Sequence, residues 1–251
     1  MARHEPLYRI GMGLIRALFT VLRVRKTVVG ISNLPDSGGA VLAMTHFGYL
    51  EFALVAGVAW MTKRRRIRFL ATKSAFSTPI VGWALRATGQ IPVDLRGGAD
   101  AYAHAVAALL RGELIGIFPE AGVDASYTVR ALKTGAVRLA READVPLVPI
   151  AVWGGQRLLT KNHRIGFFER FGVPVTFAIG AVVELRGEVH EATARLRDEL
   201  RRLVAEAQTE YADDGTGKWW QPRQLGGTAP TEAEAAEIDR KIIARRDAKR
   251  R

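Results

Sequence analysis

His46 and Glu51 stand in the segment Thr45-His46-Phe47-Gly48-Tyr49-Leu50-Glu51, where a short apolar run gives way to a helix-forming one. A carboxylate bonded to one imidazole nitrogen holds the tautomer and leaves the other nitrogen free to take a proton from an alcohol, which is general-base chemistry. On a regular helix, residues five apart diverge by about 140°, so the two groups meet only if His46 precedes the helix and Glu51 lies in its first turn. Gly48 supplies the backbone freedom that this geometry needs. The chain has no cysteine. That excludes thiolate nucleophiles, disulfides and cysteine-ligated zinc. Ser126 lacks the Gly-x-Ser-x-Gly setting of an exposed serine nucleophile and reads as a turn or capping residue. No metal site is indicated.

The elements that must position this pair follow from periodicity. Short apolar runs at residues 40–44, 67–71, 114–118, 146–152 and 173–179 read as buried strands. Helical patterns at 50–61, 78–88, 99–111 and 134–144 separate most of them. This alternation predicts a single α/β domain with a central, largely parallel or mixed sheet flanked by helices. The expected organisation is an amphipathic helix within residues 1–27, a core over 28–187 and a helical extension over 188–251. The extension begins with a charged helix at 189–211. A Gly-rich segment with the pair Trp219 and Trp220 follows, and then a helix opened by a capping box at residues 230–234 and closed by a basic run at 245–251. This tail reads as peripheral.

At 251 residues and 48% hydrophobic, the chain can bury a substantial core. Thirty-seven Lys and Arg against 25 acids leave a formal charge of +12, which raises encounter with anionic partners of any kind. The longest apolar stretches, such as residues 52–61, are too short for the roughly 20 residues of a spanning helix. There is no secretory cleavage pattern. Attachment to a membrane is therefore expected from one side. In the first helix, at residues 6–25, Leu7, Ile10, Leu14, Ile15, Leu18, Val21 and Leu22 recur at helical spacing, while Arg9, Arg16 and Arg23 share a polar face. Such a helix either lies in a membrane interface or caps the domain's own core.

Further blocks extend the first. They are Lys73-Ser-Ala-Phe-Ser-Thr-Pro79 through Gly82-Trp83 to Gly89-Gln-Ile-Pro-Val-Asp94, then Phe118-Pro119-Glu120 with Lys133-Thr134-Gly135 thirteen residues beyond the Glu, and Val145-Pro146-Leu-Val-Pro149. Together with His46 and Glu51, in this order, they make residues 28–184 resemble the glycerophospholipid acyltransferases of the 1-acylglycerol-3-phosphate O-acyltransferase type. The resemblance implies direct transfer of a fatty acyl group from an acyl thioester, acyl-CoA or acyl carrier protein, to a hydroxyl of lysophosphatidate or glycerol 3-phosphate, with no cofactor. It implies that His46 is the base and Glu51 its orienting acid. Lys73 and Arg96 would hold the acceptor phosphate, with Lys133 at the substrate site. Glu120 would contact the acceptor or brace the histidine, and the last block would help line the acyl path. Work at the cytoplasmic face of the cell membrane, peripheral or monotopic, follows.

This chain departs from the family pattern at three points. Position 51 is Glu where the family has Asp. Leu95 follows Asp94 where the family has arginine, with Arg96 one position late. Residues 121–124 replace the family's Gly-Thr-Arg-Ser, so Arg130 would have to supply the phosphate contact by a loop that folds back. The oxyanion would be met by backbone amides near the start of the Glu51 helix. The basic cluster Lys63–Arg66 with Arg68 reads as a site for CoA phosphates or lipid head groups, or as a solvated loop. Rival readings are another lysophospholipid acceptor, a thioester or lysolipid hydrolase, and a non-catalytic basic protein on membranes or nucleic acid. The chain shows no nucleic-acid module, and no nucleic-acid partner is expected.

Overall fold

The computed structural model describes residues 5–77, 79–93, 99–120, 122–161 and 163–248. Five strands share one direction: β2 (Ala40–Met44), β3 (Ile67–Thr72), β4 (Ile91–Val93), β5 (Leu114–Ile117) and β6 (Leu147–Trp153). Two more, β1 (Arg25–Val29) and β7 (Pro174–Ile179), pair parallel to each other and join through an antiparallel β6–β7 ladder. The order across the sheet is β1-β7-β6-β2-β5-β3-β4. Every residue of β2, β6 and β7 is buried. Continuous apolar strands are what a sheet covered on both faces requires.

One face is covered by α5 (Ala99–Leu110), α6 (Gly135–Glu142) and α7 (Val189–Thr209), whose Leu196, Leu200 and Leu203 pack with Val41, Ile115 and Trp153. The other is covered by α2 (Glu51–Lys63) and, outside it, α1 (Glu5–Val21). α2 is apolar nearly all round because it lies between two layers. Tyr8 of α1 meets Trp60 edge-on at 5.4 Å, and its hydroxyl accepts the Ile67 N–H at 3.4 Å. Short α3 (Lys73–Phe76) and α4 (Pro79–Ala87) link β3 to β4, and α8 (Glu232–Ala248) closes the chain.

The amphipathic α1 caps the core and also keeps an apolar surface outside. Tyr8, Met12, Phe19 and Leu22 are buried, whereas Ile10, Leu14 and Val21 are 59%, 67% and 64% exposed. The boundary expected at residue 187 falls just before α7, which packs on β6 and β7 as part of the sheet's covering layer. The Gly-rich segment between α7 and α8 is also anchored. Trp220 is buried against Tyr211 with the Arg157 guanidinium 4.5 Å above its ring, and Asp213 pairs with Arg25 and Arg157 at 2.7 Å each. The capping box forms, with Thr231 N–H on Glu234 Oε2 at 2.8 Å and Glu234 N–H on Thr231 Oγ1 at 3.3 Å. Periodicity missed β1, read as the end of the first helix, and the three-residue β4; both are short outer strands with weak apolar signal.

Candidate active site

The carboxyl ends of β6, β2 and β5 lie side by side, and the loops leaving them meet around His46. Ligands of open α/β sheets collect at this end of the strands. Thr45 ties the exit of β2 to β6: its N–H donates to Ile150 O at 3.1 Å, and its Oγ1 accepts the Val152 N–H at 3.0 Å. Beyond it the chain turns for five residues, and α2 begins at Glu51.

The turn lets Glu51 reach back. Its Oε1 accepts the N–H groups of Phe47 and Gly48 at 3.0 and 2.9 Å, and Oε2 lies 3.0 Å from the Phe47 nitrogen and 3.3 Å from His46 Nδ1. The longer Glu, in place of Asp, is accommodated with complete burial. Gly155 makes the room, because a Cβ there would stand 3.2 Å from Glu51 Cγ. Gly48 is needed for a different reason from the freedom expected of it. A Cβ at Gly48 would lie 2.9 Å from the Gly155 backbone, so the requirement is close approach of two loops. Burial raises the Glu51 pKa, opposed by the Phe47 and Gly48 amides. Burial pushes the His46 imidazole down to about 4, so the ring is neutral at neutral pH. The imidazole stacks on Phe118 at 4.0 Å and remains 17% exposed.

Glu120 braces the histidine through its backbone. Its Oε1 accepts the His46 N–H at 3.2 Å and its Oε2 the Arg130 N–H at 3.3 Å, and burial pushes its pKa up to about 7. The loop after Glu120 thus does fold back, but the Arg130 guanidinium is already engaged. Its Nε lies 3.0 Å from Asp124 Oδ2 and its Nη1 3.4 Å from Asp239 Oδ2. Lys133 donates its N–H to Pro119 O at 3.0 Å and exposes its side chain at the same rim. Lys73, also exposed, opens α3 at the carboxyl end of β3. Arg96, Asp94 and Leu95 lie outside the described residues. Ser126 is a turn residue, donating Oγ–H to Asp124 Oδ2 at 2.9 Å.

The structure also places three other groups that the sequence singled out. Of the amides leading into α2, those of Phe47 and Gly48 serve Glu51 and that of Tyr49 donates to Leu159 O at 2.8 Å, so these three are not the ones an oxyanion would meet. Residues 145–149 build the entry and first half of buried β6, whose carboxyl end is the one facing His46, so they support the sheet from within. The basic cluster lines a cavity of about 420 Å³ formed by Arg64, Arg65, Arg66, Arg68, Arg111 and Glu113 at the amino ends of β3 and β5, opposite His46. Much of its charge is internally spent. Lys63 pairs with Asp36 at 2.6 Å, Arg65 donates to the carbonyls of Pro35, Gly38 and Gly112, and Arg68 pairs with Glu113 at 3.2 Å.

Sequence reading missed Asp124, Thr160, Lys161 and Asp239. Asp124 is fully buried and donates its N–H to His46 O at 2.8 Å. Thr160 Oγ1 donates to Phe47 O at 2.7 Å. No local pattern announces these residues, because the contacts that tie them to the His46 loop and to one another span between 38 and 113 positions.

The model of the family described as Acyltransferase matches residues 25–153. A 1-acyl-sn-glycerol-3-phosphate acyltransferase of Bacillus subtilis is 31% identical over 160 residues, 62% of this chain and 77% of that protein. A chloroplastic enzyme of the same name from Arabidopsis thaliana is 26% identical over 136 residues, 53% of this chain and 37% of that one. In structure, the chain resembles the crystal structure of the 1-acyl-sn-glycerophosphate acyltransferase PlsC from Thermotoga maritima, with a TM-score of 0.68 and 20% identity over 84% of this chain and 83% of that one.

Proposed function

Since the chain belongs to the Acyltransferase family, we propose that it moves a fatty acyl group from an acyl thioester, acyl-CoA or acyl carrier protein, to the free hydroxyl of a 1-acylglycerol 3-phosphate in phospholipid synthesis. The observation that carries this reading is the neutral His46 imidazole with Nδ1 against the amide-held Glu51 carboxylate, at the strand ends where an acceptor would approach. With Nδ1–H directed to Glu51, Nε2 carries the lone pair. It takes the proton of the acceptor hydroxyl as that oxygen attacks the thioester carbonyl, the new C–O bond forms, the C–S bond breaks, and the proton passes to the leaving thiolate. Glu51 stabilises the transient imidazolium, and Glu120 holds the His46 backbone so that the ring keeps its direction. Lys73 and Lys133 at the rim, with Arg96 after β4, favour a phosphorylated acceptor.

Both substrates carry acyl chains, which places the reaction at a bilayer surface. Among the described residues no helix is long and apolar enough to cross a membrane. The outer stripe of α1, Leu7, Ile10, Leu14, Leu18 and Val21, would lie on the cytoplasmic leaflet with Arg9, Arg16 and Arg23 toward anionic head groups. The test is transfer from palmitoyl-CoA to lysophosphatidate, glycerol 3-phosphate and lysophosphatidylcholine by wild type and His46→Ala. Acylation of lysophosphatidate, lowered about 10²–10⁴-fold by His46→Ala in folded protein, is the expected result. Full activity of the variant removes His46 as base, and free fatty acid as sole product makes the protein a hydrolase.

A further inference from the structure

Beside the His46 loop lies a charge cluster that proton transfer does not use. Arg130 and Lys161 are held close together by one carboxylate. Asp239 Oδ2 faces Arg130 Nη1 at 3.4 Å, and its Oδ1 pairs with Lys161 Nζ. Both cations are bound to the loops that carry the base. Arg130 Nε pairs with buried Asp124, the residue whose amide donates to His46 O. Lys161 Nζ donates to Val123 O at 3.3 Å and follows Thr160, which is bonded to Phe47 O. The Lys161 charge also reaches the His46 ring and contributes to holding it neutral.

The two carboxylates are not equivalent. Asp124 is fully buried and receives the Ser126 N–H and hydroxyl at 2.9 Å each, so it is a fixed part of the floor. Asp239 comes from α8, is 26% exposed, and sits on a helix with little apolar grip on the domain. Ala235 is buried, Ile238 and Ile242 are half-buried, and Ile243 is 58% exposed. If Asp239 is removed, Arg130 and Lys161 against Asp124 leave one net positive charge next to the catalytic histidine.

We propose that Arg130 and Lys161 form a phosphate site for the acceptor, and that Asp239 fills this site in the unliganded enzyme as a carboxylate latch that the acceptor displaces. The proposal rests on the phosphorylated-acceptor reading above. A phosphate dianion offers three oxygens and up to two charges to a guanidinium and an ammonium already set side by side, and so competes well with a single carboxylate. Residues 122–124 offer no cation of their own. α8 then acts as a lid on an empty site and is released when the head group enters.

Full-length wild type, Asp239→Asn, Asp239→Ala, Lys161→Met and the control Glu237→Gln, whose side chain pairs only locally with Lys241, are titrated calorimetrically with glycerol 3-phosphate, inorganic phosphate and glycerol. The KM for lysophosphatidate is measured in parallel, and hydrogen exchange follows α8. Each Asp239 variant is expected to bind both phosphates about tenfold more tightly and to lower KM by a similar factor, with faster exchange in α8. Lys161→Met weakens both, Glu237→Gln changes neither, and none alters glycerol. Tightening for inorganic phosphate with the KM for lysophosphatidate unchanged assigns the site to a free ion and overturns its role in acceptor binding. Unchanged phosphate affinity in the Asp239 variants of a protein that acylates lysophosphatidate overturns the latch and leaves the function standing. Tightening without acyl transfer to any phosphorylated acceptor keeps the anion site and removes that function.

Discussion

Replacing Glu51 by Gln separates the catalytic role proposed for the carboxylate from its structural one. Oε1 of Glu51 serves the Phe47 and Gly48 amides, while Oε2 lies near Phe47 and faces His46 Nδ1. A glutamine has one acceptor oxygen to place. With the oxygen at the Oε1 position both amides stay paired, but the NH₂ then points at Nδ1 and drives the imidazole proton to Nε2, the nitrogen that must accept. With the oxygen toward Nδ1 the working tautomer survives, but the buried Gly48 N–H faces another donor. An unpaired buried donor costs about 1–3 kcal/mol, so the first arrangement dominates by roughly 5–150-fold and the competent tautomer falls in proportion. Loss of the charge that stabilises the imidazolium adds to this. The expected fall in kcat/KM is about 10²–10³-fold, with KM for the acceptor little changed and the thermal midpoint within a few degrees of wild type. Steady-state kinetics with palmitoyl-CoA and lysophosphatidate, alongside circular dichroism, is the assay. A folded Glu51→Gln protein that keeps a third or more of wild-type kcat/KM refutes the tautomer argument.

Glu120 has its pKa raised from the ordinary 4.5 to about 7, so its contribution to stability is present below pH 4.5 and is lost as pH rises through 7. Between pH 5 and 8, urea unfolding should show wild type losing about 2 kcal/mol relative to Glu120→Gln; parallel pH dependences would contradict the assignment. Leu14 is 67% and Leu18 47% exposed on the outer face of α1. Leu14→Asp with Leu18→Asp is expected to change stability in solution by about 0.5 kcal/mol or less and to reduce sedimentation with phosphatidylglycerol vesicles about tenfold or more. Equal sedimentation would move the membrane contact away from α1.

The contact between His46 and Glu51 and the alternating α/β pattern were legible in the sequence because both are local. His46, Gly48 and Glu51 lie within one turn of chain, and buried strands and amphipathic helices repeat their periods over a few residues. The runs at β2, β3, β5, β6 and β7 appear within a residue or two of their final bounds. β1 escaped because its five residues are mostly exposed and polar, and it becomes a strand only by pairing with β7, about 150 positions away.

Tertiary structure alone decided which groups the pair would meet. Glycine at 48 and 155 is explained by the approach of two loops, which no spacing rule contains. Arg130 could be named as a phosphate cation from its position, yet its neighbours Asp124 and Asp239 come from opposite sides of it in the chain, the second 109 residues away on the last helix. Composition set the charge at +12, whereas folding determined which charges neutralise one another, at the amino end of the sheet around Glu113 and at its carboxyl end around Asp239. Type and local spacing of residues are properties of the chain. The burial and pairing that set proton affinities arise only when distant segments exclude water together.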